Sequence, residues 1–251
     1  MNQDSNSNNA NIDLALYLIP VTLGSANEQV LPSYNLGIIK EIKYFIVENK
    51  KSAIRFLVSL SKEIDIDSLT FYELNEHTDL KSIGNYLEPL QKHKQPMGVI
   101  SEAGCPAVAD PGAAVVAMAH KKHLKVVPLT GPSSIILSVM ASGFNGQSFA
   151  FNGYLPVKND ERAKKLRQLE SRAWNEDQTQ LFIEAPYRNA KMLETIIRVC
   201  KKNTMLCIAS GLTCQNEFIK TQSVEEWKNF NAESIQKVPA IFLLFKEMIK
   251  C

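Results

Sequence analysis

The stretch Ile100–Gly112, ISEAGCPAVADPG, lies between the apolar runs MGVI (97–100) and VVAMA (115–119). An apolar run this short, bounded by turn residues, reads as a buried strand, and the run behind it reads as a helix. The segment joining them is unusual for its density of small residues and prolines. Gly104 and Gly112 allow close backbone approach or a positive φ, while Pro106 and Pro111 stiffen the chain. At the carboxyl end of a strand, such a loop offers backbone N–H and C=O groups to a ligand without flexing.

The same punctuation occurs after two other predicted strands. IPVTLG (19–24) closes the first, LALYLIPV, and LTGPSSI (129–135) follows LKVVPL, with Ser133 and Ser134 suited to cap the next helix. Short apolar runs alternate with helical segments as far as SFAFNGY (148–154). That alternation predicts a doubly wound, mainly parallel α/β domain, in which ligands bind outside the carboxyl ends of the strands. The three loops are therefore expected to converge on one crevice.

After Pro156 the rhythm changes. A charged helical segment, VKNDERAKKLRQLESRAW (157–174), leads into TQLFIEAP, TMLCIAS, EFIKTQS and VPAIFLLF, four strand-like runs with fewer crossover helices. This pattern predicts a second domain built on a mixed sheet. The expected division is a flexible, asparagine-rich tail at 1–13, an N-terminal α/β domain at 14–155 and a C-terminal mixed α/β domain at 156–251.

Composition narrows the chemistry. A net charge of +2 over 251 residues does not describe a polycation, so any surface for nucleic acid must be local. The five cysteines form no C-x-x-C pair and their number is odd, which favours reduced thiols in a cytoplasmic protein. No apolar run approaches membrane-spanning length, and no secretory signal is visible at the start. P-loop, G-x-G-x-x-G, H-E-x-x-H and G-x-S-x-G patterns are all missing, so no metal site is expected.

Taken in order, IPVTLG, SEAGCPAVADPG, VVPLTGPSSI (126–135) and FNGYLPVKNDER (151–162) resemble the tetrapyrrole-methylase-fold, or class III, S-adenosylmethionine-dependent methyltransferases. Within that family the likeness is greatest to the branch acting on ribosomal RNA. Its patterns are P-T-P-I-G-N, S-D-A-G-T-P-x-x-x-D-P-G, V-x-P-L-P-G-P and F-x-G-F-L-P-x-K-x-x-x-R. Phe151, Gly153, Leu155, Pro156, Lys158 and Arg162 all fall in register with the last. The resemblance spans about Leu16 to Phe245 and is most specific from Ser101 to Arg162.

The resemblance implies two α/β domains with S-adenosyl-L-methionine in the cleft between them, usually in a homodimer. It implies donor contacts from Pro20, Gly24, Ala103, Gly104, Cys105 and Val108, then from Ser133, Ser134 and Ile135, and late in the chain from Pro239 and Ala240. The implied reaction is methylation of a ribose 2′-hydroxyl in 16S ribosomal RNA, with the RNA or the small ribosomal subunit as partner. Lys158 and Arg162 are expected on the RNA through the basic run that continues with Lys164, Lys165, Arg167 and Arg172. Arg188 joins them from FIEAPYRN (182–189), which resembles the family's F-Y-E-x-x-x-R segment.

Proton removal from the acceptor needs a base. Glu48 and His77 are the candidates, in segments that depart from the family. VENKKSA (47–53) has Asn49 and Lys51 where Asp and Arg are expected, YELNEHT (72–78) is rearranged, and VTLGS lacks the asparagine beside Gly24. Two other readings follow from these departures: a tetrapyrrole (precorrin-type) C-methyltransferase, or a donor-binding protein without transfer activity.

Overall fold

The structure, a computed structural model, describes residues 12–24, 28–75, 78 and 83–247. Most of the expected tail, and His77, lie outside the described residues. Two compact units divide the chain between Pro132 and Ser133, with Leu23 and Gly24 grouped with the second.

The N-terminal unit carries strands β1 (Leu16–Ile19), β2 (Tyr44–Val47), β3 (Thr70–Glu73), β4 (Met97–Ile100) and β5 (Val126–Pro128) in the order β3-β2-β4-β1-β5, every pairing parallel. Its helices are α1 (Ser33–Lys40), α2 (Lys50–Leu60), α3 (Ile83–Tyr86), α4 (Glu88–Gln91) and α5 (Gly112–Lys121). Side chains alternate along the strands, so Phe45 and Val47 join one cluster with Ile38, Ile39 and Leu57. Ile46, with Met97 and Val99, enters the other with Leu87, Leu90 and Val115. Both faces of the sheet are covered, as a parallel sheet requires. Gly98 sits at its centre because nothing larger fits: a Cβ there would lie 2.7 Å from Ile19 Cδ1 and 2.9 Å from Phe45 Cδ1.

The C-terminal unit contains α6 (Ser134–Ser142), β6 (Phe149–Tyr154), α7 (Asn159–Asn175), β7 (Thr179–Ile183), α8 (Asn189–Val199), β8 (Met205–Ser210), β9 (Phe218–Ser223) and β10 (Ala240–Phe245). Its sheet runs β6-β7-β10-β8-β9, parallel only at β6 and β7. Leu166, Leu169, Met192 and Ile196 pack with Phe182, Ile208 and Phe242 on one face. Ile135 and Val139 pack with Leu181, Ile241 and Leu243 on the other.

The predicted architecture, a parallel doubly wound sheet followed by a mixed one, is what the chain adopts. The expected boundary at Leu155 is displaced. β6 bonds to β7 in the second sheet, so α6 and β6 belong to the C-terminal unit.

Candidate functional site

Topology brings the three loops together. β4, β1 and β5 are adjacent parallel strands, with Ile19 in register with Ile100 and Leu18 with Pro128. The loops leaving them start side by side at the switch point of the sheet, the usual ligand crevice of such folds. Bonds between the loops complete the arrangement. Val21 N donates to Gly104 O at 2.9 Å, and the Cys105 thiol donates to Pro132 O at 3.5 Å. Gly131 lies so close to Pro20 that an added Cβ would be 2.2 Å from the ring. Asn35 of α1, buried and unremarkable in sequence, donates from Nδ2 to Thr130 O at 2.9 Å and so fixes the third loop from below.

The loop after β4 is held in a costly conformation. Gly104 has φ 68°, as anticipated, but Ala107 and Ala109 also lie at positive φ, 67° and 62°. Each such alanine costs on the order of 1–2 kcal/mol. Asp110 offsets this, its Oδ1 accepting from Ala107 N at 2.9 Å and Gly112 N at 2.7 Å. Gly112 leaves space for that carboxylate: a Cβ would approach Asp110 Oδ1 to 2.8 Å. Backbone strain pinned by a half-buried acid at a strand's carboxyl end is typical of a preorganised binding loop. Val108, at the loop's tip, is 48% exposed, and Ala103 is exposed beside it.

Glu48 directly follows β2, whose last residue Val47 is in register with Ile100. Its Oε1 accepts from Glu102 N at 3.2 Å, tying the base candidate to the start of the donor loop. Burial pushes its carboxyl above the usual range; the Glu102 N–H opposes this, and the charges of Asp110 and Glu102 add to it. Burial likewise raises Asp110, against its two N–H bonds. Glu48, Ser101 and Asp110 share a pocket of about 10 Å³, room for roughly one water molecule. Burial also raises the Cys105 thiol.

Segments 20–24, 101–112 and 129–135 contain no lysine or arginine. Small side chains and two acids, Glu102 and Asp110, suit a sulfonium cation, which a ring of basic residues would repel. The loops of the N-terminal unit thus fit the donor that the sequence implies.

The remaining donor candidates lie in the C-terminal unit. Ser133 caps α6, its Oγ accepting from Ile136 N at 3.4 Å, and Ser134 and Ile135 form the first turn. Gly24 has φ 108° and faces the Cys214 sulfur at 4.0 Å from an ideal Cβ. Pro239 O accepts from Gly211 N at 3.0 Å at the start of β10, just before buried Ala240.

Arg162 corrects the sequence expectation. It is 1% exposed, and its guanidinium donates to Val157 O, Asn159 Oδ1 and Thr195 Oγ1. The side chain ties α7 to α8 and to the preceding turn, and no RNA phosphate can reach it. Lys158 is exposed and pairs with Glu161 at 3.3 Å. Lys164, Lys165 and Arg167 border an open groove along α7 and form no ion pair among the described residues. Arg188 is inward and paired with Glu184, a buried acid that sequence reasoning passed over.

Sequence relatives and solved structures agree with the motifs. No protein-family model matches the chain. It is 27% identical over 219 residues to "Ribosomal RNA small subunit methyltransferase I" of Buchnera aphidicola (from Acyrthosiphon pisum), covering 86% of this chain and 73% of that one. The proteins of the same name from Vibrio cholerae and Escherichia coli O157:H7 are also 27% identical, covering 87% and 84% of this chain and 72% and 70% of theirs. Among solved structures, the methyltransferase CobJ superposes with a TM-score of 0.62 at 15% identity, covering 92% of this chain and 94% of its own. The cobalt precorrin-4 methyltransferase CbiF gives 0.59 at 13%, covering 92% and 95%. The fold is that of the tetrapyrrole methylases, and the sequence relatives are methyltransferases.

Proposed function

We propose that this chain, an S-adenosylmethionine-dependent methyltransferase of the tetrapyrrole-methylase fold, modifies the 2′-hydroxyl of a ribose in 16S ribosomal RNA. The observation that carries the reading is the bonded convergence of the loops after β1, β4 and β5, whose segments hold no lysine or arginine. S-adenosylmethionine supplies an already activated methyl group, so the protein's task is alignment. The strained Gly104–Ala109 segment, held by Asp110, keeps its backbone groups fixed before the donor arrives. Orientation of this kind contributes up to roughly 7–11 kcal/mol to such a reaction.

Glu48 is the proposed proton acceptor. Its raised carboxyl lies nearer to neutral pH than an ordinary glutamate, which suits general-base work. It hangs on the first residue pair of the donor loop, so loop and base move together. On the RNA side, Lys158 at the N-cap of α7 and Lys164, Lys165 and Arg167 within it supply phosphate contacts, whereas Arg162 supplies the fold.

The reading includes a cytoplasmic homodimer. Among the described residues no helix is long and apolar enough to cross a membrane. The two buried residues of α6 are serines, Ser138 and Ser142, while Ile136 and Met140 are 47% and 73% exposed. That outward apolar face supports pairing with a second copy.

The test is transfer of labelled methyl from the donor to small ribosomal subunits, to naked ribosomal RNA or to a precorrin-type tetrapyrrole. Label in a ribose of 16S RNA is the expected outcome. Label on the tetrapyrrole alone, or tight donor binding with no transfer to any of the three, overturns it.

A further inference from the structure

The segment after β7, EAPYRN (184–189), pairs a buried acid with a part-buried arginine beside an exposed aromatic ring. The Glu184 side chain is wholly buried, and its Oε1 accepts from Ala185 N at 2.7 Å and from Arg188 Nη2 at 2.5 Å. Arg188 in turn lies over the Tyr187 ring, 5.5 Å from its centroid. Tyr187 itself is 66% exposed.

The turn is rigid. Arg188 N donates to Ala185 O at 2.8 Å, Gln236 Nε2 to Tyr187 O at 2.7 Å and Lys237 N to Pro186 O at 3.0 Å. Asn189, fully buried, donates from Nδ2 to Ile235 O and Val238 O, closing the turn against the 235–238 segment. This anchorage is costly. Glu184 Oε2, Arg188 Nε and Asn189 Oδ1 are buried without a partner, and Lys237 sits at φ 64°. Buried polar atoms without partners are rare in folded proteins.

Chemistry selects the ligand class. Glu184 neutralises Arg188, so the pair does not attract a phosphate as a free cation would. The guanidinium instead backs one face of the tyrosine ring and leaves the other face to solvent. A flat, rigid, uncharged aromatic surface recognises another flat ring by stacking, and unpaired nucleobases are recognised in this way.

We propose that Tyr187, backed by Arg188 and locked by buried Glu184, is a stacking platform for one unpaired base of the RNA acceptor. The proposal rests on the reading of an RNA substrate and assigns this turn a role in binding it. Tyr187 is the ligand-contacting residue; Glu184 and Arg188 are positioning residues.

Two measurements test it, with Tyr187→Ala, Tyr187→Phe and Glu184→Gln. The first is the affinity of each variant for a short single-stranded RNA of mixed sequence across a salt series. The second is the KM for small ribosomal subunits at saturating donor. Tyr187→Ala is expected to weaken both by roughly 5- to 100-fold, the range for losing one base–aromatic stack. Its salt slope and donor affinity should match the wild type, and Tyr187→Phe should lie within about twofold of it. Glu184→Gln should weaken RNA binding by loosening Arg188, and Tyr187→Ala carries the test alone if that variant fails to fold.

Unchanged RNA affinity in Tyr187→Ala overturns the platform even if the wild type labels 16S RNA normally. A loss appearing only as a shallower salt slope also overturns it, since that result marks a phosphate contact. A wild type that binds no RNA and labels only a tetrapyrrole removes the substrate reading and the platform together.

Discussion

Gly131→Ala probes the meeting of the loops. Gly131 does not occupy the left-handed backbone region, so alanine meets no conformational penalty there. Its cost is purely steric: the new methyl would stand 2.2 Å from Pro20 Cβ and 2.5 Å from Pro20 Cγ. Ordinary carbon contacts lie near 3.5–4.0 Å, so the overlap exceeds ~1 Å. Pro20 cannot rotate away as a flexible side chain would, because its ring is fused to the backbone. The first and third loops must separate, at a cost near the upper end of the usual overpacking range, about 3 kcal/mol. For a unit of this size that lowers its melting point by roughly 10 °C.

The assay can tell the units apart. Trp174 and Trp227, the two tryptophans, belong to the C-terminal unit. Far-ultraviolet circular dichroism should therefore show an early transition in Gly131→Ala, while the tryptophan fluorescence midpoint moves less. Calorimetric titration should give S-adenosylmethionine affinity lowered about tenfold or more, since a ~1 Å displacement of a positioning loop costs up to ~100-fold. The control is Gly37→Ala in α1, where nothing lies within 4 Å of the added methyl and stability should rise by ~0.5–1 kcal/mol. Wild-type melting and wild-type donor affinity in Gly131→Ala would refute the reasoning.

Four further outcomes are expected. Burial raises the Glu48 and Asp110 carboxyls in the folded chain, so the folded state holds protons more tightly and stability falls as pH rises from the ordinary carboxylate value through the raised ones. Glu48→Gln keeps an oxygen for the Glu102 N–H, and its melting curves across that window should depend less on pH; methyl transfer should lose its rise with pH. Arg162→Leu strips hydrogen bonds from Val157 O and Thr195 Oγ1 and should cost about 3 kcal/mol in denaturant unfolding, with the salt slope of RNA binding unaltered. By contrast, Lys164→Ala with Lys165→Ala should leave stability nearly constant and reduce that slope by roughly 1.5. Asp110→Ala frees the N–H groups of Ala107 and Gly112 and should destabilise by about 2 kcal/mol while weakening donor binding in the same titration.

Much of the fold was legible because its signals are local. MGVI is a strand over the expected residues, and Ser133 caps the helix it was expected to cap. Gly104 adopts the positive φ that its loop demanded. Ala107 and Ala109 were not legible, since alanine gives no hint of left-handed backbone; the acid three residues after the first of them holds that geometry. Pro89, which lacks an N–H, sits at the start of α4, a position a helix tolerates.

The domain boundary was missed because β6 continues the alternation of strands and helices, and only its pairing with the following strand β7 shows which sheet it joins. Arg162 was misjudged for another reason. It was counted with the surrounding basic residues, although Leu166, Leu169 and Ala173 follow it at i+4, i+7 and i+11 on the buried face of α7. Helical periodicity held that signal, and charge obscured it. Asn35 acts through a tertiary bond to Thr130 O and carries no sequence signature, whereas Glu184 stands at the acid of the F-Y-E-x-x-x-R segment and only its burial went unread.

The most direct test follows amide hydrogen exchange with and without saturating S-adenosylmethionine. Slowed exchange at Val21, around Gly104–Ala109 and at Gly131, all within the loops after β1, β4 and β5, is the predicted result. Saturated binding that leaves those amides unchanged and protects another surface would contradict the assignment of the donor to these loops.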